Sequence, residues 1–159
     1  MLRKVFVIAA SLLAGCASTG PAPVPAPIRA ITYETGACFG TCPVYSVTVS
    51  SDGAGRFEGR RFTGATGPQS FTVTPAQFAA FEAALAPYRP KSGEVDYSAP
   101  PLCGRMATDM PSVDVRWDEP GRAHLHYYYG CDREKYAVMA DALRHAVDAL
   151  PIAAFIRAP

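Results

Sequence analysis

The chain has 159 residues, with 15 Lys and Arg against 14 Asp and Glu for a formal charge of +1, and it is 49% hydrophobic and 18% charged. That length suits one domain, and the composition is that of a globular chain and not of a disordered one. A charge this close to zero supplies no basic surface for phosphate neutralisation, which argues against a nucleic-acid partner. No apolar run reaches the ~20 residues of a spanning helix.

The first residues read as a targeting segment. Arg3 and Lys4 form a short positive region, Val5 to Leu13 is apolar, and Leu13-Ala14-Gly15-Cys16 resembles a bacterial lipobox. That resemblance implies cleavage after residue 15 and acylation of Cys16, leaving 13 basic against 14 acidic groups in a mature chain of charge −1. Stable anchoring takes more than one acyl chain, and lipoproteins of this kind carry two or three. Ala17, not Asp, follows the cysteine, a pattern that in diderm bacteria resembles outer-membrane sorting with the domain facing the periplasm. Ala17 to Pro27 (ASTGPAPVPAP) is small, uncharged and Pro-rich, which favours an extended spacer of roughly 3 Å per residue. The expected organisation is a lipoprotein signal peptide at 1–15, lipidated Cys16 and spacer at 16–27, and one α+β domain at 28–159.

Within the domain, Ile28 to Glu34 leans toward a strand. Tyr45, Val47 and Val49 alternate with Ser46, Thr48 and Ser50, the period of a half-buried strand. A three-residue loop over Ser51-Asp52-Gly53, with Gly53 left-handed, pairs Val47 with Phe57 and keeps apolar residues on one face. Phe57 and Phe62 mark the return strand, and Ser70 to Thr74 forms another. Thr74-Pro75-Ala76-Gln77 is a capping box with Pro at the first helical position. Phe78, Phe81, Leu85 and Tyr88 form one stripe of the helix, which Pro87 and Pro90 end.

The second half repeats hairpin and helix. Pro87 to Met110 shows no periodicity and reads as a long connection. Val113, Val115 and Trp117 face Leu125, Tyr127 and Tyr129 across a turn at Glu119-Pro120-Gly121. The expected register pairs Trp117 with Leu125 and Val115 with Tyr127, putting Asp118 beside His124 and Arg116 beside His126. Asp132 is placed to cap a last helix, with a stripe of Tyr136, Met139, Ala140, Leu143, Val147 and Leu150. Antiparallel hairpins forming a sheet packed by two amphipathic helices make an α+β fold.

Besides Cys16 there are four cysteines, an even number in an oxidising compartment. Cys38 and Cys42 can bridge only if the segment turns back at Gly40. The favoured pairing is Cys38–Cys42 with Cys103–Cys131, worth about 2 and about 3.5 kcal/mol by loop entropy. Crossed pairing between the two sets is the alternative. Ala37 to Val49 (ACFGTCPVYSVTV), Asp52-Gly53 and Thr108-Asp109 resemble a domain-of-unknown-function family of bacterial secreted proteins and lipoproteins, marked by C-F-G-x-C-P-x-Y. The likeness spans most of 28–150 and implies no established activity.

Catalytic patterns are missing from the sequence. The spacing C-x-x-x-C before a strand lacks the helix N-terminus that activates redox dithiols, and no nucleophile elbow, H-E-x-x-H or phosphate loop occurs. His124 and His126 share a strand face, but two ligands are too few for a structural zinc site, His145 lies on the last helix, and Asp118, which could contribute, is accounted for as the cross-strand partner of His124. No metal, cofactor or catalytic residue is therefore assigned. Arg116, His124, His126 and Tyr128 form a candidate interaction surface. The leading expectation is a non-catalytic binding or scaffolding module, lipid-anchored in the cell envelope, with an envelope protein or peptidoglycan-associated partner. The alternative is a periplasmic thiol-redox accessory or small envelope enzyme using Cys38 and Cys42.

Overall fold

A computed structural model describes residues 27–118 and 122–157. The expected leader, Cys16 and most of the expected spacer lie outside the described residues, as does the turn expected at 119–121. Strands β1 (Ala30–Thr35), β2 (Val44–Ser50), β3 (Ala54–Arg61) and β4 (Gly67–Thr72) precede helix α1 (Pro75–Leu85). Strands β5 (Gly93–Tyr97), β6 (Ser112–Trp117) and β7 (Ala123–Tyr128) follow, then helices α2 (Ala137–His145) and α3 (Ala153–Ile156). The strands form one seven-stranded sheet in the order β4-β3-β2-β1-β6-β7-β5, antiparallel except where β5 joins β7 in parallel.

Alternation decides the layers. Ile31 and Tyr33 on β1, Tyr45, Val47 and Val49 on β2, and Phe57 on β3 are all buried. Val113, Val115 and Trp117 on β6 join Leu125 and Tyr127 on β7 on that face. Phe78, Phe81 and Leu85 of α1 and Met139 and Leu143 of α2 complete the same core. Full burial of a Val, Leu or Phe side chain contributes ~1.5–3 kcal/mol, so this face carries most of the stabilisation. The Tyr33 hydroxyl donates to the Leu143 carbonyl at 3.1 Å, tying the central strand to α2. Burial pushes its ionisation well above the ordinary tyrosine value.

The first hairpin has the predicted register, with Val47 opposite Phe57 and Gly53 at φ 94°. Asp52 fixes the loop by accepting from the Ser50 hydroxyl at 2.6 Å and the Ala54 N–H at 3.2 Å. The predicted capping box is also present: Gln77 N–H donates to Thr74 Oγ1 at 3.2 Å and Thr74 N–H to Gln77 Oε1 at 2.9 Å. β4 starts three residues earlier than expected, on Gly67-Pro68, because an edge strand tolerates a proline.

Three expectations are corrected. The β6–β7 register pairs Trp117 with Ala123, Val115 with Leu125 and Val113 with Tyr127, two residues from the one expected. A two-residue slip leaves every side chain on its own face, so the apolar pattern cannot distinguish the two. The observed one brings Ala123 into the pairing and sets this small residue opposite Trp117. Arg116 therefore lies opposite His124 and Asp114 opposite His126, and Asp118 stands beyond the pairs.

Asp132 does not cap α2, whose N-cap, Tyr136, makes no side-chain cap. Its carboxylate instead accepts from the Gly104 and Arg105 N–H groups at 2.7 and 2.9 Å. The Cys103–Cys131 bridge brings those donors within reach. The expected last helix also splits, because a 3₁₀ turn over Ala146–Ala149 follows α2, although Val147 and Leu150 stay buried.

The long connection contains β5, which the sequence reading missed. Its alternation covers only Val95 and Tyr97 between Glu94 and Asp96, too short a run to separate from loop. Tyr97 packs edge-on against Tyr127 and Tyr136, with ring centroids 6.1 and 5.0 Å apart. The cysteines pair 38–42 and 103–131, with Cα–Cα distances of 5.8 and 5.4 Å. The second bridge is buried and holds the long connection to the end of β7. Removing it as Cys103→Ala/Cys131→Ala should cost about 3.5 kcal/mol in urea unfolding, against about 2 kcal/mol for Cys38→Ala/Cys42→Ala. Equal losses would show that loop entropy does not set these contributions.

Candidate functional site

The face of the sheet opposite the core carries polar side chains in straight rows. One row reads Glu58, Ser46, Glu34, Asp114, His126 and Asp96 from β3 to β5. The next reads Arg56, Thr48, Thr32, Arg116, His124 and Glu94. Strand pairing alone therefore gathers most acids into the first row, where Glu34 lies opposite Asp114, and most bases into the second, where Arg116 lies opposite His124 and Thr32 and Thr48 share a hydrogen bond of 2.9 Å.

Asp114 is the junction. Its Oδ1 lies 2.7 Å from His124 Nε2, 3.1 Å from His126 Nδ1 and 3.5 Å from Arg116 Nη2. Arg116 also reaches Glu34 at 3.6 Å, and Glu34 accepts from Arg60. On the other side, His124 Nδ1 lies 3.4 Å from Glu94. A connected chain of charge thus runs from β3 to β5. Its members are partly exposed, so each ion pair contributes only ~0–1 kcal/mol. What the network supplies is orientation.

Beside it lies a cleft of about 430 Å³, lined by Gly93, Glu94, Arg116, Trp117, Asp118, Arg122, Ala123 and His124. Of the predicted surface residues, the structure brings Arg116, His124 and His126 together around Asp114. Tyr128 is on the same strand face, but its hydroxyl accepts from the Met110 N–H at 3.2 Å and holds the long connection. Sequence reasoning missed Asp114, Glu94 and Glu34 as members. The alternation of Val113-Asp114-Val115 already put Asp114 on the polar face, and only the two-residue register shift hid its partners.

The electrostatics follow from this geometry. Partial burial opposes the charge of Asp114, but hydrogen bonds from His126 and His124, with the Arg116 charge, outweigh it and hold the carboxyl below its ordinary range. His126 is raised, first by its bond to Asp114 against desolvation, and further by the charges of Asp114, Asp96 and Glu94.

Among the described residues, the grouping whose metal-ligating atoms lie within 4.8 Å of one another is Cys103, Cys131 and Asp132. Its two sulfurs are bonded to each other, which removes both as thiolate ligands. His145 sits apart on α2 beside Asp148 and Asp141. Cys38 and Cys42 close a five-residue loop followed by strand β2.

The arrangement defines a disulfide-stapled α+β domain with helices on one sheet face and an organised ionic surface on the other. Residues 29–151 match the family described as Domain of unknown function (DUF6438), and the chain belongs to that family. No curated protein and no solved structure matches it. Residues of the C-F-G-x-C-P-x-Y and Thr-Asp segments meet in space: the Phe39 N–H donates to the Asp109 carbonyl at 3.2 Å, and Tyr45 enters the core.

The Asp114 junction makes a pH prediction. His126 is raised on folding, so its bond stabilises fully below about pH 6.5 and fades as pH rises through the folded value. Asp114 is lowered, so its contribution is present above about pH 3.9 and fades as pH falls through its folded value. The stability difference between the native protein and Asp114→Asn should therefore be greatest between about pH 4 and 6.5. In NMR titration the His126 midpoint should fall in Asp114→Asn; an unmoved midpoint would remove Asp114 as its cause.

Proposed function

We propose that this protein is a lipid-anchored module of the bacterial cell envelope, held through Cys16 to the outer membrane and facing the periplasm. It acts as a non-catalytic binding or scaffolding element. The observation that carries this reading is the open sheet face, where a mainly acidic row and a mainly basic row are held side by side around Asp114 next to a cleft. Such a surface suits a polar partner of matching charge pattern, because fixed complementary charges set register and on-rate. The lipobox-like segment and the Pro-rich spacer support the anchor and the reach away from a membrane. The partner is an envelope protein or a peptidoglycan-associated component.

Crosslinking in the native envelope tests this. The anchored protein should yield one stoichiometric envelope adduct. That adduct should be lost in the charge-reversed variant Asp114→Lys/Arg116→Glu, and Cys16→Ala should lose the membrane association. An adduct that survives charge reversal in a folded variant would remove the sheet face as the binding surface. Mass spectrometry showing no acyl group on residue 16 would remove the anchor.

A further inference from the structure

A second surface, independent of the sheet face, lies at the end of the sheet where β1 and β7 finish. Thr35 pairs next to β6 residue Val113, and Ser112 pairs with Tyr128, so these termini share one end. The described chain enters at the other end, where Arg29 N–H bonds Ser51 beside the first hairpin loop.

Phe39 stands on this end and is 89% exposed. It is not on a loose loop. The Cys38–Cys42 bridge closes the segment, Gly40 turns it at φ 147°, and the Phe39 N–H is bonded to Asp109, itself at φ 66°. Preorganisation of the loop is what makes an exposed aromatic an effective binding anchor, because little conformational freedom is left to lose on contact.

The same end carries a groove of about 640 Å³. Its apolar lining comes from Met106, Ala107, Gly130 and Ala137, and Met106 is 53% exposed. Gly130 lets the two lining segments approach closely, since a Cβ there would lie 2.1 Å from the Ala107 carbonyl oxygen, and the Ala107 N–H donates to the Gly130 carbonyl at 2.9 Å. Val138, next to Ala137 on the first turn of α2, is 79% exposed. Asp109, which holds Phe39, is three residues from Met106, no more than about 11 Å of chain. An exposed aromatic knob and an apolar groove therefore lie side by side.

The geometry points to self-association: two copies pair about a two-fold axis, each inserting Phe39 into the other's groove beside Met106. Two observations favour a second copy as the occupant. Knob and groove belong to one chain and one end, which is the condition for an isologous contact. The groove's charged lining is balanced, Arg105 and Arg133 against Asp132 and Glu134, with Arg105 already 3.7 Å from Glu134. A balanced patch meets its own copy without net repulsion, whereas an anionic lipid surface attracts an excess of basic groups. A contact built on two such knobs is small, so the dimer is weak, with a dissociation constant on the order of micromolar to millimolar.

The test uses residues 16–159 with Cys16→Ala and both disulfides formed, followed by sedimentation equilibrium from about 10 μM to 1 mM. The dimer fraction should rise with concentration, and Phe39→Ser should weaken association about 30-fold or more. Met106→Ser, on the groove side, should also weaken it, whereas Ile28→Ser at the other end should leave it unchanged. A photoreactive phenylalanine analogue at position 39 should crosslink to residues 105–107 or 137–138 of a second copy. A monomer throughout the range, a dimer indifferent to Phe39→Ser, or crosslinks elsewhere would overturn the inference. Flotation of a monomer with phosphatidylethanolamine–phosphatidylglycerol vesicles, lost in Phe39→Ser, would overturn it in favour of a lipid surface.

Discussion

The structure depends on one geometric constraint, that successive side chains of a strand point to opposite faces and neighbouring strands must agree on which face is apolar. β1 lies at the centre and enforces the agreement. Ile31 pairs with Val49 on one side and Trp117 on the other, and Tyr33 with Val47 and Val115, so two hairpins far apart in sequence are locked into a common layer. Both α1 and α2 then have one surface to cover, and their aromatic and aliphatic stripes meet it. The remaining face inherits every residue in the alternate positions. Its polarity is thus a direct consequence of the same alternation that built the core.

This explains why the ionic surface is ordered and not a random scatter of charges. Acids and bases occupy rows because strand pairing sets them side by side, and Asp114 is central because β6 lies between β1 and β7. Both imidazoles converge on one carboxylate, which raises His126 and lowers Asp114 together. At the sheet's far end the two disulfides act on different problems. Cys103–Cys131 closes the long connection onto β7, whereas Cys38–Cys42 shapes a small loop that displays Phe39.

Much of this was legible in the residues. The three-residue loop at Gly53, the Thr74 capping box and the apolar stripes of α1 each rest on local chemistry that tertiary structure did not override. Loop closure favoured the cysteine pairing found but left the crossed pairing open, and the three-dimensional structure decides between them. What escaped was set by long-range context. The β6–β7 register obeys the face rule in either of two arrangements, and only three-dimensional packing selects the one that places Asp114 between the histidines. β5 carries two apolar residues in five and owes its strand conformation to parallel pairing with β7. Asp132 looked like a helix cap, but the Cys103 bridge supplied it with two closer N–H donors. The site was therefore half visible: the histidines and Arg116 were found, and the carboxylates that organise them were not.

Everything above stands on the sheet having one covered and one open face, and site-specific thiol labelling tests that most directly. Thr48 and Val47 are neighbours in the middle of β2, one on the polar face and one fully buried. With the native disulfides intact, Thr48→Cys, half-buried on the polar face, should react with a maleimide in the folded protein without prior unfolding, more slowly than the unfolded chain but far faster than Val47→Cys. Val47→Cys should react only as the protein opens. Protection of position 48 to the same degree as position 47 would mean that something covers the polar face, and the open ionic surface would not exist.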